Sequence, residues 1–173
     1  MKLPFSRRLQ EARVEDGAQT KVQTSIVIQK APFDMKVEYD ALRSASLEVG
    51  AVTTFVGTVR DINDDDEVKT LHLEHYPGMT EKELAKILDE AAERWQIISA
   101  TVIHRVGELF PGDEIVFVGI ASRHRGDAFH SCEFVMDYLK TRATFWKKEK
   151  TADGDRWLST RESDLEAAKS WQD

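Results

Sequence analysis

The chain has one cysteine, Cys132, in 173 residues. A lone thiol excludes an internal disulfide framework and suits a reducing compartment. No apolar run approaches the ~20 residues that a membrane-spanning helix needs. Residues 1–21, MKLPFSRRLQEARVEDGAQTK, lack the apolar core of a secretory signal, and Glu11, Glu15 and Asp16 argue against a mitochondrial leader. A cytoplasmic protein is expected. Positive charge is in deficit: 24 Lys and Arg face 31 Asp and Glu, a net of −7, which argues against a general nucleic-acid-binding surface. A glycine-rich phosphate loop is missing, as are metal-ligand spacings. His72 and His75, three apart on a strand, face opposite sides, and the acidic run 61–67 lacks EF-hand spacing. No metal and no resident cofactor are expected.

What is present suffices for one domain. With apolar residues at 41%, a chain of this length can bury a real core. Residues 1–21 show no clean periodicity and read as a mobile tail with room for a short helix at 7–14. The domain is then 22–173. β-branched clusters predict strands at 22–28 and 51–59. Val37, Leu42 and Leu47 mark a short helix between them, closed by Gly50. The acidic run reads as an exposed hairpin loop. The return strand is 68–75, with Leu71 and Leu73 on one face and His72 and Glu74 on the other. Thr80 and Glu83 read as a capping box that opens a helix through Trp95, whose buried stripe includes Leu84, Ile87, Leu88 and Ala91. Strands follow at 100–106 and 114–121, the second so apolar that it belongs at the centre of a sheet. Ala128, Cys132, Val135, Met136 and Leu139 mark the inner face of a further helix. A strand at 145–150, a turn at Asp153-Gly154, a strand at 156–159 and a helix at 162–171 complete the chain. The order is α+β, with several hairpins rather than a regular alternation. Trp95, Trp157 and Trp171 read as core or interface anchors.

Charge is distributed unevenly. Between Arg123 and Lys150 seven Lys/Arg face four Asp/Glu, a local net of +3 in an acidic chain. Clustered cations repel one another, and the usual reason to keep them together is a bound anion. Lys140 falls at the end of one helix and Lys147 on the next strand, so a chain reversal at 142–144 brings both amines to one pocket. Crowding and burial beside Phe145 and Trp146 lower a lysine pKa and make a neutral amine available. The alternative is plain helix-dipole compensation by cations at a helix C-terminus. Arg123-His124-Arg125 lies between a buried strand and a helix, where backbone N–H groups are free for an anion; a solvated loop is the other reading. Arg60 ends a strand and suits a phosphate, or a salt bridge to Asp61 and its acidic neighbours. His104 reads as a satisfied core histidine, and Cys132 as a small hydrophobe. Two rival classes stand beside an enzyme of anionic substrates: a docking module for an acidic or carboxylate-tailed partner, and a phosphoryl-transfer enzyme, which lacks its metal or glycine loop here.

The blocks LHLEHYPGMTEKEL, VIHRVGELFPGDEIVFVG, SRHRGDAF, MDYLKTRATFWKKE and GDRWLSTRESD closely resemble the large, catalytic subunit of molybdopterin synthase, from about Val22 to Trp171. The resemblance implies an α+β fold of the α/β-hammerhead type, with a mixed or antiparallel sheet and flanking helices. It implies a homodimer, and a heterotetramer with two small ubiquitin-like sulfur-carrier subunits. Each partner ends in a Gly-Gly tail bearing a thiocarboxylate. Its sulfur converts cyclic pyranopterin monophosphate, the substrate, to molybdopterin in molybdenum cofactor biosynthesis. Carried over by position, Lys140 and Lys147 match the catalytic lysines. His124 and Arg125 match a substrate-contacting pair that reaches into the neighbour's pocket. Thr58, Val59 and Arg60 match one substrate-contacting strand end, and Lys147, Lys148 and Glu149 another.

Overall fold

The computed structural model of the chain describes residues 22–172 apart from 64, 65 and 153. The tail 1–21, its helix at 7–14 and Asp153 of the last hairpin lie outside the described residues. The first half runs β1 (Gln23–Gln29), α1 (Met35–Arg43), β2 (Ala51–Thr58), β3 (Ile62–Asn63), β4 (Asp66–His75) and α2 (Met79–Arg94). The second half runs β5 (Ile97–Arg105), β6 (Gly107–Leu109), β7 (Glu114–Ser122), α3 (Arg125–Thr141), β8 (Phe145–Thr151), β9 (Gly154–Leu158) and α4 (Glu162–Lys169).

Two sheets result. The first has the order β1-β5-β7-β2, parallel between β1 and β5 and antiparallel elsewhere. The apolar strand β7 is central, as its sequence predicts. Alternation on β7 builds a core on each face. Val116, Val118 and Ile120 meet Leu84, Ile87 and Leu88 of α2 and Val135, Met136 and Leu139 of α3. Phe117 and Ala121 point the other way, to Leu42 of α1. The second sheet runs β3-β4-β8-β9, with β6 on β4. Its inner face buries Leu71, Leu73, Val68 and Leu109, with Val59 from the end of β2. The α+β expectation is met.

Several local expectations are corrected. The first helix ends at Arg43, where the Ser44 hydroxyl and N–H return to Asp40 O; Leu47 lies beyond it, fully exposed. The second helix is not opened by Thr80. Gly78 is its N-cap, and the Glu81 carboxylate accepts the Gly78 N–H at 2.6 Å. Thr80 is buried inside the first turn, and its hydroxyl donates instead to Tyr76 O or Thr144 O, both at 3.1 Å. The acidic run is not wholly exposed loop: Ile62 and Asn63 pair with β4, and Asn63 is buried. β6 escapes the sequence pattern because three residues carry no readable period. Trp95 and Trp171 pack edge to face at 5.7 Å, but Trp157 is exposed.

Gly119 in β7 lets Leu42 close over the sheet. A Cβ there meets the Phe117 ring at 2.7 Å as well as the Leu42 side chain. Gly119→Ala is expected to destabilise the fold by about 1–3 kcal/mol through overpacking, read as a lowered denaturation midpoint at unchanged slope.

Candidate active site

The two lysines come together where the sheets meet. Lys140 sits in the last turn of α3 and Lys147 near the start of β8. The intervening reversal is held at several points. Arg142 forks between α2 carboxylates, giving two bonds to Glu90 at 2.8 Å and one to Glu83 at 2.8 Å. Its N–H donates to Tyr138 O at 2.7 Å, and Thr80 ties down Thr144 O. These bonds hold the Glu90 carboxyl below its usual range and raise the guanidinium further.

α4 packs against α3 and brings Asp164, whose carboxylate accepts from Lys140 Nζ at 3.2 Å. The Lys147 amine is half-buried, and its pKa is lowered, first by desolvation and then by the Lys140 charge. Asp164 opposes that shift and Arg161 adds to it, so all four charges share one field. Below lies His104, 2% exposed and stacked on Phe145 at 3.7 Å, with Nδ1 donating to Arg105 O at 2.8 Å. Burial pushes it down to about 4, so it is neutral beside the lysine, as a satisfied core histidine. A groove of about 410 Å³ runs between β2 and α3 along Thr54, Phe55, Phe129 and Met136 and reaches Lys140. Cys132 lines it, but burial pushes that thiol up to about 12.

The other carried-over residues divide. Arg60 lies next to the second sheet and donates to Asn63 Oδ1 at 2.7 Å, rather than pairing with Asp61. Thr58 is exposed at the end of β2. Val59 is buried in the second core, and its N–H and C=O bond Asp113 and Gly112. Pleating separates the run after Lys147. Lys148 turns to the opposite face, pairs with Asp155 at 2.6 Å and lies 5.8 Å from the Trp157 ring centre. Glu149 shares the Lys147 face and is buried, with Asn63 on one oxygen and Arg156 on the other. His124 and Arg125 are exposed at the N-terminus of α3. Along that helix, at a rise of about 1.5 Å per residue, Arg125 stands about 23 Å from Lys140. Within one chain the structure does not bring these two groups together.

Asn63, Arg161 and Asp164 were not singled out from sequence. Asn63 hides in an acidic run, and the other two become visible only when α4 docks. Among the described residues no cluster of three metal-ligating side chains occurs, and no helix is long and apolar enough to cross a membrane.

The chain matches the MoaE protein family over residues 28–142. The molybdopterin synthase catalytic subunit of Escherichia coli (strain K12) is 58% identical over 149 residues, covering 86% of this chain and 99% of that one. The structure of the molybdopterin biosynthesis MoaE protein from Burkholderia ambifaria is 52% identical, with a TM-score of 0.75 over 87% of this chain and 99% of that one. A complex of subunits 1 and 2 of molybdopterin-converting factor from Helicobacter pylori, 18% identical, shares the fold at a TM-score of 0.64, over 80% of this chain and 91% of that one. The chain belongs to the MoaE family, that of the molybdopterin synthase catalytic subunits.

Asp164 holds the Lys147 pKa up, so its removal has a definite sign. Asp164→Asn should lower the Lys147 pKa further, moving the pH at which its ammonium deprotonates downward. Titration of the labelled Lys147 side chain by NMR measures this; an upward move or none contradicts the shared field.

Proposed function

We infer that this chain transfers sulfur to cyclic pyranopterin monophosphate, making molybdopterin, with sulfur taken from the Gly-Gly thiocarboxylate tail of a small ubiquitin-like partner. The observation that carries the reading is the half-buried Lys147 amine, lowered in pKa, in the same field as Lys140 and Asp164. Both substrates are anions, and cations held out of bulk water stabilise them more than solvated ones do.

The groove between β2 and α3 supports the partner half of the reading. It is mostly apolar, carries Glu133 and Asp137 on its α3 side and reaches Lys140, whose cation fits the negative end of an extended tail of two side-chain-free residues. The tail lies along Phe55 and Met136, with its thiocarboxylate at Lys140. The sulfur bonds to a side-chain carbon of the pterin as that carbon's C–O bond breaks and the oxygen leaves, protonated as water or carried off on the phosphate. Water then adds to the thioester carbonyl, its C–S bond breaks, and the partner leaves as a carboxylate while the sulfur stays on the pterin. Lys140 stabilises the negative oxygen in both steps. Lys147, neutral at lower pH than an ordinary lysine, accepts and returns the proton. Thr58 and Arg60 face the substrate from the β2 end. No resident cofactor is required, because the sulfur arrives on the carrier.

The ~23 Å between Arg125 and Lys140 along α3 supports a dimeric assembly. His124 and Arg125 reach a substrate only in a second protomer's pocket, as a homodimer provides. With one carrier for each pocket the assembly is a heterotetramer; the Helicobacter pylori complex supplies a precedent for two subunits on this fold. Lys148 contributes from the outer face of β8, and Glu149 through its partners. Cytoplasmic location fits the lone thiol and a thiocarboxylate carrier.

Lys140→Ala is expected to abolish sulfur transfer while dimer and partner binding persist, assayed with thiocarboxylated partner and quantified as molybdopterin formed. Mixing Lys140→Ala protomers with His124→Ala protomers should restore activity, since each mixed dimer holds one intact pocket. Normal turnover by Lys140→Ala refutes the catalytic assignment, and a mixture as inactive as its parents refutes the crossed one.

A further inference from the structure

Asn63 gathers two arginines that are distant in sequence. Its Oδ1 accepts from Arg60 Nη2 and from Arg161 Nη2, each at 2.7 Å, so the two nitrogens lie no farther apart than twice that. The amide can stand only one way round. Its Nδ2 donates to Glu149 Oε1 at 2.8 Å, and an ionised carboxylate only accepts. Glu149 is held in turn by Arg156, through Nε at 3.1 Å and Nη2 at 3.0 Å. The same Nη2 donates to Asn63 O at 2.9 Å, so backbone and side chain of residue 63 are both fixed. Asn63 is 6% exposed, whereas Arg60 and Arg161 are exposed. A buried, doubly held amide therefore gathers the guanidinium groups of two exposed residues.

The neutrality of the gathering group matters. A carboxylate at residue 63 would cancel much of the charge it collects, whereas an amide carbonyl orients two cations and adds no charge of its own. The pair also adjoins the lysines, because the Arg161 charge acts on Lys147.

We propose that Asn63 is a positioning residue that holds Arg60 and Arg161 as a convergent pair for the phosphate of the substrate, with Glu149 fixing the direction of the amide. This rests on the sulfur-transfer reading for the identity of the phosphate, but the pair itself is testable without turnover. Glu149 then acts on the substrate only through Asn63.

The probe is inorganic phosphate, titrated calorimetrically into the full chain. Asn63→Ala should weaken its binding about tenfold, the scale of one misplaced charge-assisted hydrogen bond. In turnover with thiocarboxylated partner the same variant should raise KM for the cyclic phosphate substrate about tenfold and lower kcat far less. In an Arg60→Ala, Arg161→Ala background, adding Asn63→Ala should change phosphate affinity no further, which a general structural role does not predict. Arg161→Ala, at an exposed position, must weaken phosphate binding too, and it decides the matter should Asn63→Ala not fold. Unchanged phosphate affinity in these variants, or a full additional loss in the triple variant, overturns the proposal. A wild-type chain that binds phosphate in the expected pattern yet forms no molybdopterin overturns the sulfur-transfer reading and leaves the arginine pair standing.

Discussion

The reversal between α3 and β8 is the constraint on which the site depends. α3 belongs to the first sheet and β8 to the second, so residues 142–144 join the two halves of the fold. Arg142 secures that join by occupying two α2 carboxylates at once. An exposed single ion pair contributes at most about 1 kcal/mol. A forked, partly buried guanidinium with a backbone tie on each side also fixes direction, because its planar donors accept few geometries. Lysine at 142 would keep the charge and lose the fork. The same anchor sets the register with which β8 meets β4, placing Lys147 opposite Leu73 and Glu149 opposite Leu71 on the buried face.

The basic island read from sequence is largely dispersed in space. Arg123 pairs with Glu48, Arg142 with Glu83 and Glu90, Lys148 with Asp155 and Lys140 with Asp164. Linear charge density overstates the local field, because partners arrive from elements up to 75 residues away. Among the described residues Arg125 and Lys150 stay exposed, and Lys147 is the member held half-buried, on the inner face of β8. A lysine whose folded pKa is depressed binds its proton less tightly when folded, so it detracts from stability below that pKa. The loss is relieved as pH rises toward the unfolded value of 10.5. A group that opposes folding at neutral pH and feels the charge of a groove-lining lysine is best understood through its chemistry.

How much of this was legible depended on the range of the interactions involved. The central strand β7, the inner stripes of α2 and α3 and the alternation of Leu71 and Leu73 follow from periodicity, which burial enforces residue by residue. The cap of α2 was misplaced because Thr80 and Glu83 satisfy the local pattern, yet Thr80 is needed 64 residues away at Thr144. The lysine pair was legible because both members lie within one short segment. Asp164 and the Asn63 hub were not, since their bonds to Lys140, Glu149 and Arg161 span 24 to 98 positions and no local rule marks them. The likeness to a known family named Arg60 and Glu149; only the structure shows the buried amide between them.

The scarcity of cysteine has a mechanistic counterpart. A protein that carries sulfur on its own thiol needs a thiolate, favoured by neighbouring cations and partial exposure. Cys132 lines the groove, but it is buried, and desolvation pushes its thiol up to about 12. It stays protonated at neutral pH even though Lys140 borders the same groove. On the proposed reading the nucleophilic sulfur therefore arrives from outside, already anionic, and what the chain must supply is charge complementarity. Two anions must meet within bonding distance, which costs free energy unless cations lie between and around them. Lysines on two elements, an arginine pair on a neutral hinge and a second protomer's His124 and Arg125 are the kind of residues that this problem demands.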